Sequence, residues 1–194
     1  MYIPEHFKIE DRDEIFSFIE ANSFCQLISN VENRLFSTHL PFYLSDDKTK
    51  IILHMTKQNP QHKELENQKA LITIEGPHGY ISPSWYNTFG VPTWNYQAVH
   101  LYGKCKLIES NDNLTEIVET LTTINEARFA TPWIPDFPAP MLAGIVGIEF
   151  AIEEVQCKYK ISQNRPLEDR VRVVEKLESM GATALADAMK KNVL

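Results

Sequence analysis

From Phe24 to Glu75 the chain alternates short apolar stretches with turn-forming residues. Phe24–Ser29, Arg34–Leu44, Lys50–Met55 and Ala70–Glu75 are rich in β-branched and aromatic side chains, and Asn33, Asp46-Asp47 and Asn59-Pro60 separate them. The pattern predicts a meander of strands, with Arg34–Leu44 and Lys50–Met55 joined as a hairpin around Ser45-Asp46-Asp47. From Ala98 to Ile108 the alternation is clean: Val99, Leu101, Gly103, Cys105 and Leu107 share one face, and His100, Tyr102, Lys104 and Lys106 the other. Gly103 in mid-strand marks a bend or a close backbone approach, as closed barrels often need. Gly144–Ile152 predicts a final long strand that continues towards Lys160.

Helical spacing enters at three places. Asp11 reads as an N-cap with Glu14 three residues on, and Ile15, Phe18, Ile19 and Asn22 follow on one face. Asn113–Ala127 carries the stripe Leu114, Ile117, Val118, Leu121 and Ile124. Leu167–Met180 presents Val171, Val174 and Leu177 inward and ends at Gly181, and Ala182–Lys191 forms a second short helix. Thr131–Met141, with four prolines plus Trp133 and Phe137, predicts an extended loop. The expected class is therefore mainly β with flanking helices (α+β), as a β-barrel domain over 1–160 and a helical tail over 161–194.

Composition changes this picture little. With 194 residues, 43% hydrophobic and 23% charged, the chain suits one sizeable core. No apolar run approaches the roughly 20 residues that span a bilayer. Met1–Phe7 lacks a basic start followed by an apolar stretch, so no secretory signal is expected and cytoplasm is the default location. Cys25, Cys105 and Cys157 are odd in number and far apart, which favours buried free thiols over disulfides or a metal site. His39, His54, His78 and His100 lack the spacing of a helical zinc pair, and no Gly-x-Ser-x-Gly elbow is present. A net charge of −7 argues against a globally basic nucleic-acid binder.

The segment Gly76–Tyr96, GPHGYISPSWYNTFGVPTWNY, stands out as a binding element. It holds two of the three tryptophans, three of the seven tyrosines and three prolines. Ordering a connector costs roughly 1–2 kcal/mol of backbone entropy per residue, and stiff prolines with flat rings suit a planar heteroaromatic ligand or a subunit interface. The alternative is a loop whose rings complete the core.

The order of residues carries more than the composition. Six blocks recur in order: Met1-Tyr2-Ile3-Pro4 with Phe7; Thr38-His39-Leu40-Pro41; His54-Met55-Thr56-Lys57-Gln58-Asn59-Pro60; Gly76–Tyr86; Val91–Tyr96; and Lys158–Arg165. In these the chain resembles the PaiB-type family of FMN-binding, proposed negative transcriptional regulators. The resemblance implies a split β-barrel of the pyridoxamine-phosphate-oxidase and flavin-reductase kind. It also implies a homodimer with FMN in a cleft between subunits, and a regulatory role in sporulation and extracellular-enzyme production in some bacilli. Two positions depart from the family pattern. Met55 replaces a usual small residue, and Lys57 stands where arginine is frequent, keeping the charge but not the bidentate fork.

FMN needs a cation or convergent donors for its phosphate and an apolar slot for its ring. Thr56, Lys57 and Asn59 offer hydroxyl, ammonium and amide for the phosphate, unless Lys57 is simply solvated. Trp85 and Trp94 are candidates to flank the ring, with core or interface roles open beside that. Ser82, Thr93 and Asn95 could reach the ring edge or the ribityl hydroxyls, and Lys160, Gln163 and Asn164 complete the site or form a helix-capping turn. His54 reads as a structural or flavin-edge hydrogen bonder. There is no glycine-rich loop, which excludes a Rossmann-type phosphate cradle.

Three functions compete at this level: an FMN-binding regulator, a flavin-dependent oxidoreductase using the same pocket, and an interaction module whose pocket has lost its flavin. The tail starts basic, with Lys158, Lys160, Arg165, Arg170 and Arg172 against Glu168 and Asp169. Its second helix offers few side chains able to read bases, so packing or dimer contact is expected of it, and DNA contact rests on the family analogy.

Overall fold

A computed structural model describes residues 1–193 of the chain; Leu194, the last residue of the expected tail, lies outside the described residues. The strands are β1 (Lys8–Ile9), β2 (Phe24–Val31), β3 (Arg34–Leu44), β4 (Lys50–Thr56), β5 (Lys69–Ile81), β6 (Thr93–Ile108) and β7 (Ile145–Lys160). The helices are α1 (Arg12–Ala21), α2 (Asn111–Glu126), α3 (Ala139–Leu142), α4 (Leu167–Ser179) and α5 (Thr183–Val193).

The strands pair in the order β1-β7-β4-β3-β2-β5-β6, and β6 also pairs with β7, so the sheet closes on itself. The β2–β3 hairpin turns at Glu32 and Asn33, both with positive φ (51° and 61°), the conformation that matches the twist of a two-residue hairpin loop. The expected β3–β4 hairpin is present, with Phe42 opposite Leu53 and the Ser45 amide donating to Lys50 O at 2.9 Å. β4 then runs antiparallel to β7 from Lys50 opposite Ala151 to Thr56 opposite Ile145.

The chain divides into two compact units, which interleave in sequence. One comprises Ile19–Ile74 and His100–Val155 and contains β2, β3, β4 and α2. Its core includes Leu27, Phe42, Leu53, Ile72, Leu101 and Phe150. Helix α2 buries Leu114, Ile117, Val118 and Leu121, and Ile117 and Leu121 pack on Ile52 of β4. At Gly103 an added Cβ would stand 1.9 Å from the Ala151 carbonyl oxygen, so this glycine is there for a backbone approach that no side chain permits. The second unit comprises Met1–Phe18, Glu75–Val99 and Gln156–Leu194. In it α4 and α5 form a helical hairpin that buries Val173, Val174, Leu177, Leu185, Ala186 and Met189. Gly181, at φ +76°, terminates α4, and the Ala182 amide closes the cap on Leu177 O at 2.9 Å.

Other expectations hold in part. Asp11 caps α1 by accepting from the Asp13 and Glu14 amides at 2.9 and 3.1 Å. The cysteines are free and buried, and burial pushes each thiol up to about 12. Gly76–Tyr96 is not one long connector: β5 continues to Ile81 and β6 begins at Thr93. Strand pairing satisfies the backbone of both ends, leaving only residues 82–92 between them. Ile124 and Val171 follow helical spacing yet are exposed, because the buried stripe ends at Leu121 in α2 and passes through Val173 rather than Val171 in α4. The proline-rich loop ends in a short helix, α3.

Candidate functional site

In the Ile19–Ile74 and His100–Val155 unit, β4 delivers His54, Thr56 and the turn that follows. His54 lies on the face of β4 shared with Ile52, the face that meets α2. Its Nδ1 is buried without a hydrogen-bond partner among the described residues, and burial lowers its pKa, keeping the ring neutral. Thr56 Oγ1 accepts from the Gln58 amide at 3.2 Å, and the Lys57 amide donates to Gly144 O at 2.9 Å. Asn59 shapes the loop: its Oδ1 accepts from the Gln61 amide at 3.0 Å and its Nδ2 donates to Thr38 Oγ1 at 2.9 Å. Sequence reasoning passed over Gln61. This wholly buried amide donates to Leu27 O at 3.0 Å and Ser29 Oγ at 2.9 Å and accepts from Thr38 Oγ1 at 2.5 Å. The turn is therefore bolted to β2 and β3, and among its exposed side chains is Lys57, which enters no hydrogen bond or ion pair among the described residues.

The other eight expected residues fall in the second unit. Ser82 caps the short 3-10 turn Pro83–Trp85, accepting from the Ser84 amide at 3.3 Å. Trp85 is half-buried, and its carbonyl accepts from Arg172 Nε at 3.0 Å. Trp94 is 55% exposed and stands with His78 and Tyr80, ring centroids 6.5 and 6.2 Å away. Gln163 folds back on its own turn, donating to Tyr159 O at 2.5 Å and accepting from the Ile161 amide at 2.8 Å.

Thr93, Asn95, Lys160 and Asn164 converge on one cavity of about 150 Å³. Lys160 Nζ donates to Thr93 Oγ1 and, at 2.6 Å, to Trp94 O. Burial and the neighbouring Lys158 lower the Lys160 pKa from its ordinary value. Asn95 is buried and donates to Ser162 Oγ at 2.9 Å. Ser162 and Arg165 also line this cavity, with Phe7, Tyr86 and Val91 supplying apolar wall. Arg165 reaches it by stacking on Tyr86, 4.4 Å from guanidinium carbon to ring centroid, and by donating to Phe89 O at 2.9 Å. In sequence both residues stand in the ordered block Lys158–Arg165, which gave them no particular role; their partners lie far away in the chain.

This fold recurs among solved structures. The flavocytochrome Anf3 from Azotobacter vinelandii aligns with a TM-score of 0.65 at 17% identity, covering 82% of this chain and 72% of that one. The FAD and heme binding protein from Mycobacterium smegmatis aligns at 0.65 with 12% identity, covering 84% and 78%. The fold is thus a split β-barrel of the pyridoxamine-phosphate-oxidase-like class. In sequence, residues 1–154 match the family described as "Putative FMN-binding domain", and the chain belongs to it. It is also 38% identical over 201 residues to the protein named "Protease synthase and sporulation protein PAI 2" from Bacillus subtilis (strain 168), which spans 98% of this chain and 97% of that protein. The PaiB-type resemblance carried by the ordered blocks is therefore a family relationship, and flavin is the cofactor that goes with it.

Proposed function

We propose that the chain is an FMN-dependent regulator of PaiB type, working as a homodimer in the cytoplasm and acting negatively on gene expression. The observation that supports it best is the fit of the Thr56–Asn59 turn to a phosphate. The turn is held rigid by Asn59 and Gln61, and it leaves one exposed ammonium, Lys57, uncommitted. Preorganised loops lose little entropy on binding, so a lone cation on such a turn binds phosphate better than the same cation on a mobile loop. Thr56 adds a hydroxyl beside it, while Asn59 acts by shaping the turn. His54, on the α2 face of β4, acts as support for the strand rather than as a ligand.

Trp85 and Trp94 offer ring surface for the isoalloxazine, and Ser82, Thr93 and Asn95 offer polar groups for its edge and the ribityl chain. Lys160, Gln163 and Asn164 border that side, and Lys160 and Asn164 also line a separate small cavity. That cavity, which Thr93 and Asn95 line as well, holds about 150 Å³, smaller than the roughly 300 Å³ at which pockets begin to hold drug-sized ligands, so the ring lies outside it. The flavin ring then needs a further wall, which favours the homodimer reading, with exposed Trp94, Phe89 and Val91 as contact surface. Residues 161–194 act in the same reading as a helical tail that packs on the barrel or on the partner. Bound FMN supplies a reversible acceptor for one or two electrons. The protein's part is to hold the phosphate, orient the ring and limit water around it. The regulatory part draws on the Bacillus subtilis relative, whose name ties that protein to protease synthesis and sporulation.

The test compares two ligands. A hydrogen-bonded charge contact is worth about 1.5–3 kcal/mol, or roughly ten- to a hundredfold in affinity. Lys57→Ala should lose that much for FMN and almost nothing for riboflavin, which lacks the phosphate, as read by fluorescence titration. Equal losses for the two flavins would refute the role given to Lys57.

A further inference from the structure

The cavity beside Lys160 has a chemistry of its own. Its two charged lining groups are both cations, Lys160 and Arg165, and the residues that line it include no carboxylate. Among the described residues the side-chain ion pairs are Lys8–Glu10, Lys50–Glu149 and Lys190–Glu178, so neither cavity cation spends its charge in a direct pair. The acid nearest in influence, Asp169, accepts instead from the Asn87 amide and from Thr88. In a chain of net charge −7, two unpaired cations at one cavity form a local positive site against the global trend.

Its neutral groups are arranged in the same sense. Lys160 has three N–H donors and uses two, on Thr93 and Trp94. Ser162 accepts from Asn95, which leaves its own O–H to donate. The backbone of Ser162 is left-handed, φ +73°, in a buried position. Such a conformation strains a residue with a Cβ, and glycine would adopt it freely. What serine adds over glycine here is the hydroxyl. A volume of about 150 Å³ admits a tetrahedral or carboxylate anion and is too small for a tricyclic ring.

We propose that the cavity formed by Lys160, Arg165, Ser162 and Asn164 is an oxyanion site, filled by the phosphate or carboxylate group of a small ligand other than the flavin. Its separateness from the flavin rests on the reading that Lys57 takes the one phosphate of FMN; its affinity for an oxyanion does not. The ligand is an anionic effector or reactant that gives the protein a second input beside flavin.

Inorganic phosphate is the probe, titrated by calorimetry into the full-length protein in chloride buffer, once saturated with FMN and once flavin-free. With FMN bound, one phosphate per chain should still bind. Arg165→Ala should weaken it at least tenfold. Asn164→Asp, which adds a carboxylate at an exposed lining position and leaves the buried residues alone, should weaken it as much in either form. Ser162→Gly, which keeps the backbone conformation and removes the hydroxyl, should weaken it about threefold. Phosphate binding that is absent from both forms, indifferent to Asn164→Asp, or abolished by FMN would overturn the proposal. A protein that takes no FMN yet binds phosphate in an Asn164→Asp-sensitive way sinks the role of Lys57 and keeps the oxyanion site.

Discussion

Asp169 shows how one buried acid can hold a recognition segment in place. It lies on the first turn of α4, and its carboxylate accepts from the Asn87 amide at 2.7 Å and from the hydroxyl and amide of Thr88. Burial pushes its pKa up, but these hydrogen bonds and the nearby Arg165 outweigh burial and hold it below the usual carboxylate range. A group whose folded pKa is depressed contributes stability that is present above its unfolded pKa and lost as pH falls through the folded one. Asp169→Ala should therefore cost about 1–3 kcal/mol at neutral pH by leaving buried donors unmet. The gap between variant and wild type in urea melts should narrow as pH drops below the ordinary carboxylate value. A gap that stays constant into strong acid would contradict this account. The charge pattern of the tail suggested only a basic surface with two acids; that one of them turns inward depends on where residues 87–88 lie, which no local pattern states.

Among the elements, those with a strong period were legible. Alternation from Ala98 to Ile108 gave β6 its faces, and Val99, Leu101, Gly103 and Cys105 are all buried. The same reading singled out Gly103, where β6 and the β7 backbone come too close for any side chain. Gly103→Ala should destabilise the protein by about 1–3 kcal/mol or more, since a backbone oxygen, unlike a flexible side-chain tip, cannot move aside cheaply. A melting temperature within experimental error of wild type would show that β6 and β7 can part there. Glycine and proline misled at Gly76–Tyr96, where their density reads as a loop. Gly76 instead lies inside β5 with Phe18 pressed on it, an added Cβ meeting the ring at 2.7 Å. A glycine demanded by a neighbour's bulk and one demanded by a turn look identical in sequence.

For the whole molecule, charge sets the terms of any contact with DNA. With net charge −7, neutralising several phosphates at once requires a concentrated basic face. The basic start of the tail is drawn elsewhere: Lys158 is buried against Tyr2 and Tyr96, Lys160 binds Thr93 and Trp94, Arg165 stacks on Tyr86 and Arg172 binds Trp85 O. The purified protein alone should retard a promoter duplex no better than a random one over a range of salt concentrations. Salt-dependent preference for one sequence would establish direct reading and move the regulatory output onto this chain.

The sequence by itself determined the β meander with its helical ends, the caps at Asp11 and Gly181, the burial of the thiols and, through ordered blocks, the family and its flavin. These follow from local period, propensity and word-like motifs, all short-range properties. The tertiary structure decided which polar groups meet. Asn95 finds Ser162 across 67 residues and Arg165 finds Phe89 across 76, while Gln61 reaches Leu27 across 34. Such meetings depend on strand order and register, which set neighbours by cooperative pairing of distant segments. That is why Lys57 could be singled out from its motif, whereas the cavity at Lys160 and Arg165 emerged only once β6, β7 and the turn after it were brought together.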